Sequence, residues 1–128
     1  MLENNGVAPI VIVVDDCEDI RQVLRFTLEA RGYRVLEAEN GLAAVELAKR
    51  KCPDLILMDL NMPVLDGLAA TRLLRQLDES CRVPIIAVSA YPKESCQADA
   101  FAAGCDEYIS KPVDFEELGH LLKSLLAA

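Results

Sequence analysis

Asp54-Leu55-Ile56-Leu57-Met58-Asp59-Leu60-Asn61-Met62-Pro63 is the stretch on which the fold turns. Residues 55–58 form an uninterrupted apolar run, as a strand covered on both faces does, and the run stops at the carboxylate of Asp59. Pro63 and Gly67 follow directly and mark a loop. The spacing places Asp59 at a strand tip, on the loop, exposed to a reactant and aimed by the strand behind it.

Further short apolar runs flank this one at 10–14, 34–38, 84–88 and 107–109, rich in Ile, Val and Leu. Helical periodicity fills the gaps between them. Ile20, Val23, Leu24, Thr27 and Leu28 share one helical face, and Gly32 stands where a helix would end. A second helix starts near Asn40 and stops before Pro53. Leu68, Ala69, Leu73, Leu74 and Leu77 mark a third, and a weaker Ala-rich pattern over 94–103 ends at Gly104. Leu118, Leu121, Leu122, Leu125 and Leu126 repeat the first pattern, with Asp114 and Glu117 spaced as a capping box. Five strands alternating with five helices give the α/β class: one doubly wound, parallel, flavodoxin-like (βα)5 sheet with the common order 2-1-3-4-5 and right-handed crossovers. One domain over 9–128 is expected, preceded by a short disordered lead-in at 1–8.

Composition removes several function classes. A net charge of −8, from 13 basic and 21 acidic residues, argues against direct nucleic-acid binding, which needs a basic footprint. No apolar run approaches the ~18 residues of a membrane span, and no basic segment precedes 10–14 to make it a signal peptide. The five cysteines form no CxxC pair and there is one histidine, so a zinc site is not expected. Without an export signal the cysteines read as reduced thiols of a cytoplasmic protein. His120, in the last helix, is expected on the surface with no catalytic role.

Open parallel sheets bind ligands beyond the carboxyl ends of their strands, where strand order reverses. With order 2-1-3-4-5, strands 1 and 3 are neighbours at that point, and they deliver Asp15, Asp16 and Asp59. Adjacent strands lie about 4.8 Å apart, so three carboxylates crowd one small volume. Like charges that close push one another toward protonation unless a cation intervenes. Mg²⁺ suits the place: it accepts one or two carboxylates, keeps waters and bridges to phosphate oxygens. Strand 4 delivers Ser89 to the same edge, and strand 5 delivers Lys111 and Pro112. Three acids, a hydroxyl and an ammonium suit phosphoryl transfer, in which the cations neutralise phosphoryl oxygens and a carboxylate attacks in line. Taken singly, each residue also has an ordinary reading: Asp15 and Asp16 as caps of the first helix, Asp59 as a turn residue, Ser89 as a cap, Lys111 as a solvated loop lysine. Their agreement at one edge favours the shared site.

The chain resembles a receiver domain of bacterial two-component response regulators. The resemblance rests on Val14-Asp15-Asp16, Met58-Asp59-Leu60-Asn61-Met62-Pro63, Asp66-Gly67, Ser89-Ala90, Ala103-Gly104 and Lys111-Pro112, in family order and spacing, and covers about 9–127. It implies that Asp59 is the phosphoacceptor. Asp16 and Asp59 would bind Mg²⁺ directly, Asp15 through a water, and Asn61 through its backbone carbonyl. Ser89 and Lys111 would contact phosphoryl oxygens, and Tyr108 would be the switch aromatic. Ser at 89 keeps the hydroxyl of the commoner Thr without its methyl, and Tyr91 is bulky beside the pocket.

The resemblance further implies a phosphorylation-dependent signalling switch rather than an enzyme acting on a separate substrate. A phosphohistidine on a sensor histidine kinase or histidine phosphotransfer protein would supply the phosphoryl group. The face of helix 4, strand 5 and helix 5 would change its binding to a downstream protein. The chain reads as a stand-alone receiver or one excised from a larger protein, monomeric or a weak dimer. Three alternatives make different demands. An aspartyl-nucleophile phosphatase of the haloacid dehalogenase type wants an Asp where Asn61 stands. An FMN carrier wants a Ser/Thr-rich loop where 15–19 are largely acidic. A pseudo-receiver interaction module would have lost Asp59, the acid pair or Lys111.

Overall fold

The computed structural model describes residues 7–62, 65–77 and 82–126. Most of the expected lead-in and Pro63 lie outside these residues. Five strands, β1 (Ile10–Val14), β2 (Arg34–Ala38), β3 (Leu55–Asp59), β4 (Ile85–Ser89) and β5 (Glu107–Ser110), alternate with α1 (Glu18–Ala30), α2 (Gly41–Lys51), α3 (Gly67–Leu77), α4 (Lys93–Ala103) and α5 (Phe115–Leu126). All strand pairs are parallel, in the order β2-β1-β3-β4-β5. This is the expected topology.

Alternation along each strand builds a core on both faces of the sheet. Ile12, Val14, Ile56, Met58, Ile85 and Ala87 pack on one side with Ala44 and Val45 of α2, Ala70 and Leu74 of α3 and Ala100 of α4. Val11, Val13, Leu55, Leu57, Ile86 and Ile109 pack on the other with Leu24 and Leu28 of α1 and Leu118 and Leu122 of α5. The apolar face expected for α1 is narrower than its spacing suggests. Leu24 and Leu28 are buried, whereas Val23 is 53% exposed.

Helix ends follow the local chemistry. Asn40 caps α2, its side chain accepting from Ala43 N at 2.8 Å. Gly32 takes a φ of 95° just past α1, as its place in the sequence predicts. Asp114 accepts from the backbone N–H groups of Glu116 and Glu117, which is half of a capping box. The Glu117 carboxylate instead faces Lys93 of α4 at 3.7 Å. Asp15 and Asp16 do not cap α1: its N-cap position belongs to Cys17, without a side-chain bond.

Gly67 lets α3 begin against the end of β3. A Cβ there would fall on the carbonyl oxygen of Asp59 and 2.7 Å from Leu60 Cα, so only glycine lets α3 start against the strand tip. Gly67→Ala must shift backbone rather than a flexible side chain. It is expected to cost about 1–3 kcal/mol of stability, read as a lower urea midpoint at unchanged slope.

Candidate functional site

Asp59 is the last residue of β3 rather than the first of a loop, and it is 1% exposed. The sequence-based expectation of an exposed carboxylate is therefore corrected. Register explains it: Asp59 pairs with Val88 of β4, and the ladder continues through Leu60 N donating to Val88 O at 2.9 Å. β4 and β5 likewise run one residue further than the apolar runs suggest, to Ser89 and Ser110, which pair with each other. Polar residues extend a strand when neighbouring strands offer their ladder partners.

The expected acids do meet. Asp15, Asp16 and Asp59 each present an oxygen, and these lie within 4.8 Å of one another. Asp15 and Asp59 are buried and Asp16 is exposed. Asp15 has both oxygens engaged: Oδ1 accepts from Cys17 N at 2.9 Å and Oδ2 lies 3.2 Å from Lys111 Nζ. Asp59 is held in the same way, Oδ1 by Asn61 N at 3.0 Å and Oδ2 by Lys111 Nζ at 3.3 Å. Lys111 thus bridges the two buried carboxylates. Its backbone N–H donates to Ser89 O at 2.7 Å, which fixes the base of the side chain to the end of β4.

The electrostatics follow from this crowding. Burial pushes the Asp59 carboxyl up to about 6. The Asn61 N–H opposes the rise, Asp15 adds to it, and Lys111 opposes it. Burial works against the Lys111 ammonium, but Asp59 and Asp15 outweigh it and raise the lysine above its usual value. One ammonium thus faces three carboxylates. The excess negative charge and the all-oxygen donor set fit a hard divalent cation.

Around this centre the other expected residues take their places. Ser89 is fully buried. Its Oγ donates to Asn61 Oδ1 at 3.1 Å and accepts from Tyr91 N at 3.1 Å. Tyr108 is 1% exposed, and its hydroxyl donates to Tyr91 O at 2.8 Å. Tyr91 exposes its own ring and serves the site through its main chain. His120 is exposed in α5. Among the described residues the cysteines are free.

Two features escaped the sequence reading. Arg21 of α1 donates from Nη1 to the Asp15 carbonyl at 2.8 Å and from Nε to Glu37 Oε1 of β2 at 3.0 Å, tying the acidic loop to the edge strand. An arginine one turn into a helix that follows two acids was the available signal. The second is the turn of the Asn61 side chain onto Ser89 and Ala90, since Asn61 was expected to offer a backbone carbonyl and, with Tyr91, to bear on water access.

Residues 11–123 match the family model described as response regulator receiver domain. This chain belongs to that family. Curated relatives of the receiver domain include the polar-differentiation response regulator DivK of Brucella anthropi, 38% identical over 116 residues, 91% of this chain and 94% of the relative. DivK of Brucella ovis is 36% identical over the same shares. Among solved structures, the receiver domain of a sensor histidine kinase from Pseudomonas aeruginosa superposes with a TM-score of 0.87 at 34% identity, covering 95% of this chain and 100% of that one. That structure has a magnesium ion coordinated in its active site cleft. The chemotaxis protein CheY4 of Vibrio cholerae gives a TM-score of 0.87 at 29% identity, covering 94% and 100%. The receiver domain here is a regulatory module of two-component, phosphorylation-dependent signalling. Among the described residues no helix is long and apolar enough to cross a membrane.

Proposed function

We propose that Asp59 accepts a phosphoryl group in a Mg²⁺-dependent transfer and that the domain reports the change to a partner protein. The observation that carries this is the buried Asp59 carboxylate, with Lys111 on one oxygen, beside Asp15 and Asp16. Asp16, exposed and within reach of the other two acids, would hold the ion directly together with Asp59 and the Asn61 backbone carbonyl. Asp15, whose oxygens are held by Cys17 N and Lys111, would act on the ion through water. The ion, when bound, neutralises negative charge on the phosphoryl oxygens.

The donor is a phosphohistidine on a sensor histidine kinase or a histidine phosphotransfer protein. One Asp59 oxygen forms a bond to phosphorus as the P–N bond breaks, and the electron pair returns to the imidazole nitrogen. Lys111 leaves its contact with the carboxylate oxygen and takes up a phosphoryl oxygen. Ser89 donates to another. The domain speeds its own phosphorylation and dephosphorylation and acts on no separate substrate.

Readout passes through the main chain of Tyr91. This residue is bonded on one side to Ser89 Oγ and on the other to the Tyr108 hydroxyl. Moving Ser89 toward the phosphoryl group shifts the equilibrium between two arrangements of α4, β5 and α5, whose face binds a downstream protein. The receiver domain spans 9–128 after a lead-in at 1–8 and works in the cytoplasm as a monomer or weak dimer.

Intact-mass measurement after incubation with acetyl phosphate tests this reading. One base-labile phosphoryl adduct is expected with Mg²⁺, and none with EDTA or in Asp59→Asn. An unmodified wild-type protein that also fails to bind Mg²⁺ would make it an interaction module instead.

A further inference from the structure

The Ser89 hydroxyl and the Ala90 backbone N–H both point at one atom, the side-chain oxygen of Asn61. The distances are 3.1 Å from Ser89 Oγ and 3.4 Å from Ala90 N. These two donors sit at the tip of β4, the strand paired directly with the end of β3 that carries Asp59. A hydroxyl and a main-chain N–H converging on one oxygen make an oxyanion position, and an uncharged carboxamide fills it here.

We propose that the Asn61 side chain is an internal placeholder for one phosphoryl oxygen. The proposal rests on Asp59 being the phosphoacceptor and names the residue that competes with the phosphoryl group for its donors. Ser89 Oγ already accepts from Tyr91 N, so its single proton goes to one acceptor at a time. While that acceptor is Asn61, the hydroxyl is not available to a phosphoryl group. A phosphoryl oxygen on Asp59 therefore competes with the carboxamide for this hydroxyl.

The local geometry allows the carboxamide to rotate out. Asn61 is exposed, so water takes over its amide once the bonds to Ser89 and Ala90 break. The link between Asn61 and Asp59 is made by the Asn61 backbone N–H, which donates to Asp59 Oδ1 at 3.0 Å and does not involve the side chain. The carboxamide can leave while the acceptor stays aimed. A charged phosphoryl oxygen forms stronger bonds with the same two donors than a neutral amide oxygen does, so the exchange runs toward the phosphorylated arrangement. The displaced bonds subtract from that gain. Asn61 therefore lowers the apparent affinity for the phosphoryl group by the fraction of molecules in which the position is filled.

The probe is beryllofluoride, a tetrahedral phosphoryl mimic, titrated at a Mg²⁺ level saturating for each variant. Binding is followed by the ¹⁵N–¹H resonance of Ala90 and by tyrosine fluorescence, which three tyrosines and no tryptophan make specific. Asn61→Ala is expected to tighten binding about three- to tenfold, the worth of one to two neutral hydrogen bonds. In the unliganded protein the same change should speed solvent exchange of the Ala90 amide. In a Ser89→Ala background the gain from Asn61→Ala should fall below about twofold, because the main shared donor is gone. Asn61→Leu, which keeps bulk without an acceptor, should also tighten binding and so separates hydrogen bonding from space. Unchanged or weaker binding in Asn61→Ala, or a full gain that persists without Ser89, overturns the placeholder. Absence of Mg²⁺-dependent beryllofluoride binding by the wild type is a separate result, which removes the phosphoacceptor reading itself.

Discussion

Asp59→Asn is expected to make the unliganded protein more stable at neutral pH. An ionised carboxylate with 1% exposure is a liability that the amide lacks. Its carboxyl is raised from 3.8 to about 6 by burial, with repulsion from Asp15 adding to the rise. The folded protein thus holds the proton more tightly than the unfolded chain does. For a raised acid the associated stability is fully present below the unfolded value and is lost as pH rises through the folded one. The loss falls between about pH 4 and pH 6 and is complete above it. Two units correspond to about 3 kcal/mol, an upper bound on the gain from Asn at pH 8. Urea titrations in EDTA at pH 4 and pH 8 check the sign. The variant should match wild type at the acid end and exceed it by roughly 1–3 kcal/mol at the alkaline end. Saturating Mg²⁺ should narrow the difference, since the cation offsets the same repulsion in wild type.

Lys111→Met should act in the opposite direction on stability and sharpen metal binding. The substitution keeps most of the stem and removes the ammonium that bridges Asp15 and Asp59. Both carboxylates have side chains no more than 3% exposed, so neither regains water easily. In EDTA at pH 7 a loss of roughly 1–3 kcal/mol is expected, less than for an isolated buried pair because Asp59 takes up a proton instead. The lysine is raised by its two partners, so its own titration removes the contribution only above about pH 10, while protonation of Asp59 weakens it below about pH 6. With the fixed ammonium gone, Mg²⁺ meets a more negative site, and its dissociation constant should fall several-fold to tenfold. Calorimetric titration with Mg²⁺ reads this directly. A weaker affinity in Lys111→Met would mean that the lysine organises the acids rather than competing with the ion.

The topology and the meeting of the acids were readable because they depend on patterns that tertiary context rarely overrides. Runs such as 55–58, short and closed by turn residues, suit covered strands, and the sheet order then brings the ends of β1 and β3 together. What escaped was set by partners distant in sequence. Asp59 looks like a loop residue until Val88 is known to lie beside it. Val23 satisfies the helical period of α1, yet the stripe that α1 buries is only wide enough for residues such as Leu24 and Leu28. Asp106 accepts from Arg75 of α3 at 3.0 Å and from Ile85 N at 2.9 Å, joining α3 to the starts of β4 and β5 through partners 31 and 21 residues away. The Asn61 carboxamide belongs to the same group. No local pattern reports that an exposed side chain turns back onto a buried serine 28 residues away.

Asp59, and no other residue, is proposed to take the phosphoryl group. Mapping the modified position tests it most directly. After reaction with acetyl phosphate and Mg²⁺, borohydride reduction converts an aspartyl phosphate to homoserine, which peptide mass spectrometry then locates. Homoserine is expected at position 59 alone. A modification at Ser89, at Asp15 or Asp16, or no modification at 59 under conditions that add phosphoryl to the intact protein, would contradict it.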